Sequence, residues 1–222
     1  MSETVTSMDD LVARARGLVE SGRRALLGLV GAPGAGKSTV SAALVEALGP
    51  QAAVVVPMDG FHLANEVLRD QGLADVKGNI STFDSTGYAA LLRRLRDQQD
   101  DEIVYAPRFD RTLEESIGSA IRVDPGVALV VTEGNYLLSD GLHWERCRAT
   151  LTESWFIQVP QDLRLRWLID RHIAHGRSPQ AAREWVLRSD EANARLVVAT
   201  ADRADVLVAL PVGDVTPQDP TA

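Results

Sequence analysis

The chain is poor in cysteine, in positive charge and in long apolar runs, and each shortage excludes something. Its single cysteine, Cys147, rules out a disulfide framework within one chain and fits a reducing compartment; such a residue is more often a small half-buried hydrophobe than a reactive thiol. No apolar run approaches the roughly 18 residues needed to cross a bilayer, and the opening MSETVTSMDD is too acidic and polar to act as a secretory leader. A cytoplasmic protein with no membrane partner is therefore expected. Positive charge is outweighed: 23 Lys plus Arg stand against 31 Asp plus Glu, for a net charge of −8. General nucleic-acid binders display a basic face that releases counterions from phosphate, so no nucleic-acid partner is expected. Any polyanion handled here must be small and locally clamped. Lysine is scarcest, present only at Lys37 and Lys77, and neither sits in an Asn-Lys-x-Asp guanine reader, which argues against a GTPase. His62, His143, His172 and His175 lack metal-ligand spacing supported by other ligands, so no zinc site is assigned.

What is present is concentrated. At 222 residues, 45% hydrophobic and 24% charged, the chain suits one large α/β domain better than two. Gly31-Ala-Pro-Gly-Ala-Gly-Lys-Ser38 is a complete G-x-x-x-x-G-K-[ST] phosphate loop between an apolar run and a helix-like segment. Its glycines let backbone N–H groups turn inward on phosphate, Lys37 reaches the β and γ phosphates, and the Ser38 hydroxyl holds Mg²⁺. Gly31, Ala32, Gly34, Ala35, Gly36, Lys37, Ser38 and Thr39 are the expected nucleotide-binding residues. A compact ammonium suits a tight loop that the broad fork of arginine does not fit. That argument secures Lys37 and leaves Lys77 open between a phosphate contact and an ordinary surface lysine.

Hydrophobic periodicity predicts alternating elements: a helix over 8–21, buried strands over 25–30, 52–56, 127–132, 154–159 and 205–210, and helices over 38–48 and 86–98. A long helical stretch over 161–201 breaks at Gly176 and restarts with Ser178-Pro179 as N-cap and first turn. Uniformly apolar strands alternating with helices imply a three-layer αβα fold around a central, mainly parallel sheet of five strands. Residues 103–123 fit the alternation poorly and read as a hairpin or an irregular insertion near the site. The chain divides into an N-terminal helix (1–23), a domain over 24–211 and a disordered tail over 212–222.

In such folds ligands lie beyond the carboxyl ends of the strands. The second of these strands runs into Pro57-Met-Asp-Gly-Phe-His62 and the third into Glu133-Gly-Asn-Tyr136. Asp59 there could orient a hydroxyl and take its proton, and Glu133 could hold Mg²⁺ or its water. For Asp59 the alternative is a turn residue before Gly60.

The series GAPGAGKS, PMDGFH, KGNISTFD, YAPRFDR, VVTEGNYLL and RHIAHGR resembles the phosphoribulokinase, uridine kinase and pantothenate kinase superfamily over about residues 24–208. It is most similar to bacterial members labelled nucleoside/nucleotide kinase-like or fructose transport system kinases. The resemblance implies a P-loop NTPase fold with a helical lid at about 161–180, and ATP-dependent phosphorylation of an alcohol on a small molecule. Asp59 matches the family's catalytic aspartate and Glu133 its metal-associated acidic position. The stretch with Arg164, Arg166, Arg171 and Arg177 resembles the family's mobile lid, with Arg171 and Arg177 chosen as the arginines that clamp the transferring phosphoryl group.

The departures concern the acceptor. The aspartate and histidine of uridine kinases are absent from Gly78-Asn79 and from 106–112, which disfavours uridine. Lys77-Gly78 with Thr82-Phe-Asp84 is nearer to pantothenate kinase, whose remaining acceptor region is not recognisable. Tyr105, Arg108, Asp110 and Arg111 are expected to face the acceptor, joined by His62, Lys77, Asn135 and Tyr136; two arginines suit an anionic or polyhydroxylated molecule, and the alternative is a salt-bridged hairpin. The sequence thus supports a kinase using ATP and Mg²⁺. The rival is a nucleotide-dependent regulatory ATPase with no small-molecule acceptor, and a homodimer stays open.

Overall fold

The computed structural model describes residues 3–215. In chain order they form β1 (Glu3–Val5), α1 (Met8–Val19), β2 (Ala25–Val30), α2 (Lys37–Leu48), β3 (Ala53–Val55), α3 (Asn65–Asp70), α4 (Ser85–Arg96), β4 (Val104–Asp110), β5 (Glu115–Val123), β6 (Leu129–Gly134), α5 (Trp144–Arg148), β7 (Glu153–Ile157), α6 (Gln161–Ala174), α7 (Pro179–Trp185), α8 (Glu191–Val198), β8 (Val206–Val208) and α9 (Val212–Val215). Six strands make one parallel sheet in the order β1-β8-β7-β2-β6-β3. The five expected strands are all in it.

Both faces of the sheet are apolar because successive side chains on a strand point to opposite sides. Leu26, Val30, Val130 and Phe156 pack with Tyr88, Leu92 and Leu95 of α4 and Trp144 and Cys147 of α5. On the other face Leu27, Leu29, Leu129, Val131, Trp155 and Ile157 pack with Leu11 and Ala15 of α1 and Val40 and Leu44 of α2. This is the three-layer αβα architecture. Cys147 is a free, buried thiol within the first cluster. Among the described residues no helix is long and apolar enough to cross a membrane.

Both chain ends carry more structure than the sequence alone predicts. The expected N-terminal helix is present as α1, and Glu3–Val5 before it pairs with β8 as a sixth strand. The tail was expected to be disordered from residue 212, yet Val212–Val215 forms α9 and Val215 is fully buried. Residues 216–222 lie outside the described residues. Residues 103–123 are the expected hairpin: β4 and β5 pair antiparallel, apart from the main sheet.

The helical stretch after β7 breaks where predicted. Gly176 takes φ +91°, a left-handed conformation open to glycine at little cost. Ser178 then caps α7, its hydroxyl accepting from Ala181 N, with Pro179 in the first turn. A single π-helical turn, Val186–Asp190, joins α7 to α8, a device that re-aims side chains within a helix.

Candidate active site

Three adjacent strands deliver the site. β6 lies between β2 and β3, so the loop after β2, the turn after β3 and the residues after β6 emerge side by side at the carboxyl edge of the sheet. Gly34 and Gly36 give the phosphate loop its curl at φ +78° and +83°. Close packing also requires them. A Cβ on Gly34 would lie 2.7 Å from Leu168 Cγ of α6, and one on Gly36 2.7 Å from the Val215 carbonyl oxygen of α9.

Lys37 Nζ donates to Gly31 O (2.8 Å), Ala32 O (3.2 Å) and Asn135 Oδ1 (2.7 Å). Burial pushes its pKa down to about 8, against the opposing pull of Glu133 and Asp59; Arg171 and Arg164 press it the same way as burial. Each of these four charges is therefore felt at Lys37. Glu133 accepts from Ser38 Oγ and Ser41 Oγ, both at 2.9 Å, and burial raises its pKa despite those bonds and Lys37. One hydroxyl and one carboxylate form an all-oxygen donor set of the kind that hard Mg²⁺ prefers. Among the described residues no group of three or more His, Cys, Asp or Glu could hold a metal by itself. A metal held by Ser38 and Glu133 would therefore draw its remaining ligands from nucleotide phosphates and water.

Asp59 lies in the 3₁₀ turn Met58–Phe61 directly after β3, with its side chain 40% exposed and Oδ2 3.8 Å from Arg111 Nη2. It is open to a ligand. His62 Nδ1 contacts Asp59 O at 2.8 Å, and its ring lies between Phe83 and Phe109; burial lowers its pKa. His62 thus braces the turn.

The other expected acceptor residues divide. Arg111 reaches the cleft through Asp59. Asp110 accepts from the Thr112 and Leu113 amides and shapes the hairpin turn. Lys77 bonds to Asn65 Oδ1 (2.7 Å) and Glu114 O and lies 5.0 Å from the Phe109 ring centroid, fastening the hairpin tip. Arg108 and Tyr105 are exposed, the latter paired in register with Arg122. Asn135 turns to Lys37, while the buried Tyr136 donates its hydroxyl to Gly78 O at 2.8 Å.

On the lid, Arg171 and Arg177 part company. Arg171 is desolvated, which lowers its pKa, as does neighbouring Arg111; Asp190 and Asp59 oppose the shift. Arg177 lies over the Trp185 ring, 4.2 Å from its centroid, on an exposed part of the lid. Two residues that the sequence reading did not select emerge. Arg164 is buried, donates to Pro33 O of the phosphate loop at 3.1 Å and pairs with Glu191. Ser41 shares Glu133 with Ser38. Helical spacing could have found both: Arg164, Leu168 and Arg171 recur at i, i+4 and i+7, and Ser38 and Ser41 at i and i+3. Arg166 falls off that stripe and pairs with Asp162 in solvent.

The family model described as "Phosphoribulokinase / Uridine kinase family" matches residues 26–216. A solved structure from Silicibacter sp. TM1040, described as a "putative fructose transport system kinase", is 37% identical and covers 91% of this chain and 99% of its own, with a TM-score of 0.83. A Schizosaccharomyces pombe protein named "Putative uridine kinase" is 32% identical over 180 residues, 78% of this chain and 76% of the relative. The Escherichia coli K12 protein YggC, named as uncharacterized, is 33% identical over 191 residues, 84% of this chain and 78% of its own.

Proposed function

The chain belongs to the phosphoribulokinase/uridine kinase family and is a kinase that transfers phosphate from ATP to a small molecule; we propose that the acceptor is an alcohol and that Asp59 is the general base. The observation that carries this reading is the convergence of Lys37, Glu133 and the open carboxylate of Asp59 at the ends of three neighbouring strands. In this scheme the acceptor oxygen attacks the γ phosphorus, the bond from that phosphorus to the bridging oxygen of ADP breaks, and the hydroxyl proton passes to Asp59. Lys37 holds the β and γ phosphate oxygens. Arg171 meets charge that spreads over the equatorial oxygens in the transition state. Ser38 and Glu133 would hold Mg²⁺, which when bound would supply positive charge to offset that of the phosphates.

Arg111, adjacent to the proposed base with its guanidinium 38% exposed, supports an anionic or polyhydroxylated acceptor, since a fork of N–H donors suits carboxylate, phosphate or vicinal hydroxyls. The buried free thiol of Cys147 fits a reducing, cytoplasmic setting. The test is ADP release from Mg-ATP across nucleosides, hydroxy acids, sugars and sugar phosphates, with Asp59→Ala as control. Acceptor-dependent release that disappears in the variant is expected. Release that needs no acceptor and survives the substitution would instead indicate the regulatory ATPase.

A further inference from the structure

An ammonium has three protons to donate and no lone pair to offer, and Lys37 spends all three within the protein. Two go to the phosphate loop's own carbonyls, at Gly31 and Ala32; the third and shortest goes to Asn135 Oδ1 at 2.7 Å. Asn135 is the side-chain partner. Its position follows from strand register: Val30 of β2 pairs with Gly134 of β6, so Asn135 stands beside Gly31, where the loop begins. The backbone there is closely confined, because a Cβ on Gly134 would lie 2.7 Å from Met58 Cβ and Sδ. A long flexible lysine side chain otherwise samples many rotamers, and fixing it costs entropy.

Resting on the reading of Gly31 to Ser38 as the ATP site, we infer that Asn135 is a positioning residue that aims Lys37 at the phosphates and is not a ligand of the acceptor. Phosphate oxygens take over from the Gly31 and Ala32 carbonyls as partners of Nζ, while the bond to Oδ1 stays and keeps the ammonium over the loop. The Asn135 amide acts through Lys37.

The test is a double-mutant cycle on Mg-ATP affinity, measured by calorimetry on the full chain with wild type, Asn135→Ala, Lys37→Met and the double variant. A hydrogen bond to a charged group predicts that Asn135→Ala weakens binding on the order of tenfold when Lys37 is present. In the Lys37→Met background it produces no further loss. A merely structural role would weaken both backgrounds alike, so equal losses overturn the inference. An unchanged Mg-ATP affinity in Asn135→Ala combined with a raised KM for the acceptor also overturns it and returns Asn135 to the acceptor side. Where Lys37→Met binds too weakly for calorimetry, the cycle is read as the Mg-ATP-induced rise in melting temperature, with the same expected non-additivity. Wild type that binds no Mg-ATP would remove the ATP-site reading itself, whereas wild-type binding with additive losses removes only the role of Asn135.

Discussion

Lys37 and the two lid arginines show how position decides what a positive charge can do. Arg171 sits in the field of Lys37, Arg111 and Asp59, so Arg171→Ala is expected to lower kcat by about 10²-fold or more, the scale for losing a donor that meets transition-state charge. Arg177→Ala removes a stacking contact with Trp185 and is expected to leave kcat within about twofold of wild type, as for an exposed surface substitution. Equal losses in the two variants would contradict this assignment. Lys37 also gives nucleotide binding a pH dependence. Burial holds its free-state pKa at about 8, and bound phosphates raise it, so the complex retains a proton that the free protein releases above that value. ATP affinity should therefore be level below pH 8 and fall up to about tenfold per pH unit above it. Titration calorimetry between pH 7 and 9.5 checks this sign, and the bend should be missing in Lys37→Met.

The elements around the site differ in how far their residues announce them. The phosphate loop is legible because its determinants are contiguous and each has a separate physical cause: glycines for φ, lysine for charge, serine for oxygen. β1 is not legible, since Glu3–Val5 is three residues with only Val5 buried, too short to show alternation. α9 is similarly obscured: the polar, Gly- and Pro-containing sequence around it signals a tail, and only tertiary packing of Val215 on Gly36 gives it a place. The hairpin was recognisable as a departure from the βα pattern, yet Lys77 and Asp110 serve its tip and turn through contacts distant in sequence. The join between this hairpin and the proposed base is tight: a Cβ on Gly60 would lie 2.5 Å from the Pro107 carbonyl oxygen of β4. Gly60→Ala is accordingly expected to destabilise the protein by about 1–3 kcal/mol, the range for overpacking. Gly118→Ala on β5, with nothing within 4 Å of the added carbon, should be near neutral. Thermal denaturation of the two variants is the check, and equal melting temperatures would show that the turn yields without cost.

For the whole molecule, a parallel sheet covered on both faces explains why the residues after β2, β3 and β6 place their chemistry at one edge. α6 closes that edge by laying Arg164, Leu168 and Arg171 towards the phosphate loop and cleft, while Glu191 at the start of α8 holds Arg164 from the other side. Net charge and composition do not identify an acceptor, because in the proposed site it would be read by a few side chains brought together from the turn, the hairpin and α6. The proposed reaction moves the γ phosphate of ATP to an alcohol with Asp59 as base. Its most direct measurement uses ATP labelled in the γ phosphate, an acceptor found by the panel, and mass spectrometry of the product for wild type and Asp59→Ala, with Mg-ATP binding measured on both. Wild type should form a labelled phosphate ester, and Asp59→Ala should lose about 10²–10⁴-fold in its formation while ATP binding persists. Undiminished ester formation by Asp59→Ala would contradict it.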